Sequence, residues 1–183
     1  SSLLRTVTSP HATPTPATTP VDQGSGEAGG LDGGGLVSTS ADFLAIPGLD
    51  RAGQVAWMQS LRPRATTIEL LFHDSDVSHP LTLELAWLVP ARQEGVGARP
   101  GYPRPHPRAV LHRYRYDRAI LRALIDLGGL FEYVSDPLGD TVRFTRLGNV
   151  DVTFLDRSDA VLGSTVTHEG LILTPVEVPT AKG

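Results

Sequence analysis

"LTLELAWLVPARQEGVGARPGY", residues 81–102, is the stretch on which the reading of the fold turns. Leu81, Leu83, Leu85, Trp87 and Val89 fall on one side of an extended chain, with Thr82 and Glu84 opposite, which is the period of a half-buried β-strand. Pro90 follows, and residues 90–108 carry so few apolar side chains that a long irregular loop is expected there. The same period of two recurs elsewhere. It aligns Ile68, Leu70 and Phe72 in "TTIELLF", Val142 and Phe144 in "TVRFTR", and Val150, Val152 and Phe154 in "NVDVTFL". "STVTHEGLILTPVEV" supplies a last strand or two, and Pro, Gly and Asp interrupt the strands where turns belong. Two segments read as helices. One is "LDRAGQVAWMQSL" (49–61); the other is "DRAILRALIDLGG" (117–129), with Ile120, Leu121, Leu124 and Ile125 at helical spacing and Gly128 as a stop. The expected class is all-β, an antiparallel β-sandwich of about seven or eight strands with one or two short helices. Immunoglobulin-like and jelly-roll arrangements both fit. The absence of Cys removes a marker of the first, and the long loops favour the second.

Residues 1–35 have a different composition. "SPHATPTPATTP" favours extended, polyproline-like backbone, and "DQGSGEAGGLDGGG" has the composition of a flexible linker. The expected organisation is a Pro/Thr- and Gly-rich N-terminal arm over 1–35 and one β domain over 36–183 with a short C-terminal tail. The arm is not basic, since Arg5 stands against Asp22, Glu27 and Asp32. Its start lacks the basic-then-apolar order of a signal peptide; it also lacks Met, so either a processed product or numbering from a mature end is expected. No run approaches the roughly 18 apolar residues that span a bilayer, and no membrane partner is expected.

The residue inventory narrows the chemistry. Cys is absent, which excludes disulfides and thiol catalysis. The only Lys is Lys182, beside the end of the chain, which removes Schiff-base chemistry, and Asn149 is not part of a glycosylation sequon. "HDSDVSHP" gathers His73, Asp74, Asp76 and His79, the residue types of a divalent-metal site, but without an H-x-H or H-E-x-x-H spacing; a hairpin loop explains it more simply. Calcium between subunits at Asp74 or Asp76 lacks a loop motif. Ser164, His168 and Asp159 can be drawn as a triad, yet no G-x-S-x-G elbow supports it. No phosphate-binding glycine loop is present, and Trp57, Trp87 and Phe72 are assigned to the core. Neither a catalytic residue, a metal nor a cofactor is expected.

The concentrated feature is "RPGYPRPHPRAVLHRYRYDRAILR" (99–122), with seven Arg and one Asp in a chain of net charge −4. A strand through "LHRYRYDR" places Arg113 and Arg115 on one face and Tyr114 and Tyr116 on the other. Arg offers forked donors to phosphate and Tyr a stacking face to an unpaired base. Arg104, Arg108, Arg113, Tyr114, Arg115, Tyr116, Arg118 and Arg122 are therefore the candidate RNA-contacting residues. His106 and His112 would add charge below about pH 6.5. Pairing of these Arg residues with the acidic excess, within the domain or across a subunit interface, fits the same segment. So does a solvated loop in an Arg-biased chain.

"LELAWLVPARQEG", a strand running through Trp into Pro and a polar loop, resembles the coat proteins of small icosahedral positive-strand RNA viruses, the tymovirus-like ones in particular. "AWMQSLRPRATTIELLFHD" is similar to the helical turn and strand that precede it in that family. "GSTVTHEGLILTPVEVPT" resembles its closing strand, and the Thr/Pro-rich start its arm. Picornavirus capsid subunits are similar in the same general way. The sequence departs from the family pattern by an extra residue between Trp87 and Pro90, and 103–135 has no counterpart. The resemblance implies a jelly-roll subunit without a catalytic site. It would assemble with copies of itself, with or without sibling capsid subunits, into a shell around genomic RNA, as a virion component made in the host cytoplasm. The alternative class is a secreted or surface β-sandwich that binds carbohydrate or protein, carried on a Pro/Thr-rich stalk. An enzyme of the cupin or hydrolase kind comes third.

Overall fold

The computed structural model describes residues 43–176; the expected arm over 1–35 and the C-terminal tail lie outside the described residues. Within them the chain runs β1 (Phe43–Pro47), α1 (Arg51–Leu61), β2 (Thr67–Phe72), α2 (Pro80–Glu84), β3 (Ala91–Glu94), β4 (Val110–Arg115) and α3 (Arg118–Asp126). It continues through β5 (Glu132–Asp136), β6 (Gly139–Arg143), β7 (Val150–Leu155) and β8 (Val161–Val166), then a 3-10 turn Thr167–Glu169 and β9 (Leu171–Pro175). Seven strands form one antiparallel sheet in the order β1-β9-β8-β7-β2-β4-β3, and β5 and β6 form a separate hairpin. The all-β antiparallel class with short helices is thus the observed one.

β2 lies between β4 and β7, and the register explains why the alternation was readable there. Ile68 stands opposite Tyr114 and Phe154, Leu70 opposite His112 and Val152, and Phe72 opposite Val110 and Val150. These side chains make one face of the sheet, and Met58, Leu81, Leu85, Ile120, Leu124 and Phe131 cover it. Thr67, Glu69 and Leu71 occupy the other face with Leu111, Arg113, Asp151 and Thr153. On that side Leu71, Ala109 and Leu111 form a small second cluster with Val96 and Tyr102 of the loop before β4.

Capping residues place the two longer helices. The Asp50 carboxylate accepts from Gly53 N at 2.7 Å and starts α1, and Asp117 accepts from Ala119 N and Ile120 N to start α3. Gly128, at φ +102°, lets the chain leave α3 through the left-handed region. Trp57 of α1 lies close against β8 because Gly163 has no side chain; a Cβ there would come within 2.5 Å of the indole. Gln54, fully buried in α1, ties the helix to the segment after α3. Its Nε2 donates to Leu49 O and Phe131 O, both at 2.8 Å, and its Oε1 accepts from Leu130 N at 3.0 Å and Phe131 N at 3.2 Å.

The segment 81–89 corrects the sequence reading. Pro80 occupies the first turn of α2 and His79 caps it, its Nδ1 accepting from Leu81 N at 3.2 Å. Leu81 and Leu85, four residues apart, are buried together, whereas Leu83, Trp87 and Val89 face outward. The expected core position of Trp87 is therefore wrong, while those of Phe72 and, in part, Trp57 hold. The loop expected over 90–108 also contains a strand, β3, paired to β4 with Ala91 opposite Arg113 and Glu94 opposite Val110.

Candidate functional site

β4 carries the centre of the Arg-rich segment, and the expected alternation is present: Tyr114 points into the core with Ile68 and Phe154, and Arg113 and Arg115 take the other face. Tyr114 and Tyr116 are buried, and Tyr116 Oη donates to Met58 O at 2.8 Å. Neither can offer a stacking face to a base, so both leave the candidate set. The reason is local: Tyr116 closes the gap between the end of β4 and α1, edge-on to Phe154 at 5.0 Å.

Several of the Arg residues are already engaged. Arg113 donates from Nε and Nη2 to Glu69 Oε1 at 3.1 and 2.9 Å, and Arg99 Nε lies 3.1 Å from Glu69 Oε2, so the buried Glu69 carboxylate is held between two guanidinium groups. Arg108 pairs with Asp74 at 2.5 Å, and Arg122 pairs with Asp126 one turn along α3 at 3.0 Å. Among the described residues, Arg104, Arg115 and Arg118 are outside every ion pair. Arg104 precedes β4, whereas Arg115 ends it and Arg118 opens α3.

The "HDSDVSHP" residues diverge rather than converge. His73 Nε2 lies 2.7 Å from Asp151 Oδ2, Asp74 meets Arg108, and His79 caps α2. Asp76 accepts from Arg92 Nε and Nη2 at 2.6 and 2.9 Å and lies 2.7 Å from His112 Nε2. These contacts lock the loop after β2 to β3 and β4. Among the described residues no group of three such side chains is arranged to hold a metal. The triad drawn from the sequence also separates: Ser164 Oγ bonds Thr153 Oγ1 at 2.7 Å, His168 Nδ1 bonds Tyr102 Oη at 2.8 Å, and Asp159 faces Arg113.

Sequence reading missed the buried carboxylate Asp151. Besides His73, it accepts from Thr167 N at 2.6 Å and Thr165 Oγ1 at 3.2 Å, joining the start of β7 to the end of β8. The signal was present in "VDVTFL", where Asp151 and Thr153 interrupt an otherwise apolar strand on the face that was expected to be solvated.

The Arg92 guanidinium holds the Asp76 carboxyl well below the usual carboxylate range, and burial pushes the His79 imidazole below its ordinary value. In both cases the unfolded chain binds protons more readily, so stability falls as pH falls. The His79 contribution is lost as pH drops from about 6.5, and that of Asp76 as pH drops from about 4. The urea midpoint is therefore expected to decline in two stages between pH 8 and pH 3. Asp76→Asn should lower the neutral midpoint and flatten the acidic stage; an unchanged midpoint across that range would contradict this assignment.

Two surface features remain. Leu83, Trp87 and Val89 are 80%, 60% and 94% exposed, and they run directly into β3, which ends the sheet. An open cleft of about 700 Å³ lies between the start of α1, the end of α3 and the hairpin, lined by Arg51, Phe131, Glu132, Tyr133, Phe144 and Arg146 among others. The chain matches no family model, no curated protein and no solved structure.

Proposed function

We propose that this chain is a structural subunit that works by associating with copies of itself. The observation that carries this reading is the exposed run of Leu83, Trp87 and Val89 beside the outer edge of β3. Single exposed apolar residues are ordinary on a protein surface. Three within seven residues, next to a strand whose outer backbone groups are unpaired among the described residues, form an association surface. The buried polar pairs described above tie the loop after β2 to β3 and β4 and join β7 to β8, which suits a structural role.

The specific form of the proposal is a jelly-roll coat subunit of a shell around RNA. It rests on the sequence resemblance, whose defining strand is here α2 and a turn. Within that form, phosphate contacts fall to Arg104, Arg115 and Arg118, with Arg108, Arg113 and Arg122 already turned to carboxylates. A second reading, the β-rich binding module, is favoured by the aromatic- and charge-lined cleft near Tyr133 and Phe144, whose size suits a small ligand.

Replacing Trp87 and Val89 together with Ser tests the association. Both side chains are largely exposed, so the fold should keep its unfolding free energy within about 0.5 kcal/mol. Sedimentation velocity should show the association constant reduced by at least tenfold. An unchanged association constant in a folded variant would move self-contact to another surface.

A further inference from the structure

We infer that β3 is a self-complementary edge, which pairs antiparallel with β3 of a second copy across a two-fold axis at Gln93. This deepens the self-association reading and rests on it. The four residues of the strand are Ala91, Arg92, Gln93 and Glu94, all exposed, and only their β4 side is paired among the described residues. In an antiparallel pair centred on Gln93, Arg92 stands opposite Glu94 of the copy and Glu94 opposite its Arg92, while Gln93 meets Gln93. Opposite charges at directly facing positions stabilise an antiparallel pair, and like charges oppose it. Centring the axis on Arg92 or on Glu94 instead puts two like charges face to face. The charge pattern thus selects one register out of the neighbouring ones, as an isologous contact requires.

The side chains are placed for this. Arg92 is clamped to Asp76 through Nε and Nη2, and its Nη1 donates to Glu94 Oε1 at 2.6 Å, so the guanidinium is held in one orientation. Glu94 remains 73% exposed and can accept from a second guanidinium. The same register brings the turn after β3 of the copy, Gly95 to Gly97, alongside Pro90 and Val89. The most exposed apolar side chain of the 83–89 run is then at the seam. Gly95, at φ +63° with nothing near its Cβ position, ends the strand and limits the pairing to a short segment. A short charged edge is also the usual guard against indiscriminate strand addition. Here that guard is consistent with admitting one partner, the strand carrying the mirror order of charges.

The chain has no Cys, so a single introduced thiol reports on the contact. Directly opposed residues of an antiparallel pair have Cα atoms about 4.5–5.5 Å apart, inside the range a disulfide bridges. In the Gln93-centred register only position 93 meets itself; Ala91 lies about 13 Å from Ala91 of the copy. Full-length Gln93→Cys and Ala91→Cys should be oxidised mildly at a concentration where sedimentation shows the reduced proteins associated. A covalent dimer forming at least tenfold faster in the first than in the second is the expected result. Equal rates, or a faster Ala91→Cys, would overturn the register. Self-association with no cross-link at position 93 would overturn the edge pairing while leaving the self-association reading in place. Monomers at every concentration would remove both.

Discussion

Gln54→Leu is expected to lower the unfolding free energy by roughly 3–5 kcal/mol and the thermal midpoint by about 10 °C. The side chain has no exposed surface and uses its whole amide on backbone groups: two carbonyls accept from Nε2, and two N–H groups donate to Oε1. Leu fills nearly the same volume, so the loss reports on hydrogen bonding rather than on a cavity. Four backbone groups lose their partner at once, and each such group costs about 1–3 kcal/mol if nothing replaces it, less whatever local relaxation recovers. Thermal denaturation followed by far-UV circular dichroism checks the prediction; a loss below about 1 kcal/mol would mean that the turn after α3 repacks freely.

Phe154→Ala should cost a similar amount, about 3–5 kcal/mol in urea denaturation, but by a different route. Phe154 sits fully buried at the middle of the sheet, edge-to-face with Trp57 at 5.1 Å and with Tyr116 at 5.0 Å. Truncation removes the ring that joins α1, β4 and β7 and leaves a void that two aromatic neighbours cannot fill without leaving their own contacts. Trp57 emission should change with the substitution, since the indole rests on Phe154 and Gly163. Phe154→Leu keeps most of the volume and should lose markedly less. Equal losses for Ala and Leu would place the effect in aromatic geometry rather than in packing volume.

The legible parts of the fold were those in which one pattern had a single physical meaning. β2 and β7 alternate because one face meets the helices, and α3 carries its own cap at Asp117, its apolar stripe and its terminating Gly128. The 81–89 stretch misled because Leu81, Leu83, Leu85, Trp87 and Val89 satisfy a period of two while Leu81 and Leu85 also satisfy a helical spacing of four. Pro80 in the first turn, together with Leu, Glu and Ala as good helix formers, resolves the tie towards a helix. β3 was hidden for the opposite reason. An edge strand with four exposed residues has no buried face, so "ARQE" shows no apolar alternation at all.

The candidate site was legible to the same limited degree. The split of Arg113 and Arg115 from Tyr114 and Tyr116 followed from strand period alone. What the Tyr residues face depends on α1 and Phe154, which lie far away in sequence. Likewise, nothing near Glu69 in the chain announces that Arg99 and Arg113 neutralise it. Long-range pairing decides which charges are free, and among the candidate Arg residues it leaves Arg104, Arg115 and Arg118 outside the ion pairs.

The most direct measurement is sedimentation velocity of the full 183-residue chain over a wide concentration range, with absorbance read at 260 and 280 nm. A structural subunit that packs against itself predicts boundaries heavier than one chain that grow with concentration, and the coat form adds a nucleic-acid excess at 260 nm travelling with them. A single species of one-chain mass at every concentration and salt would contradict self-association and leave the cleft near Tyr133 as the place to look for a ligand.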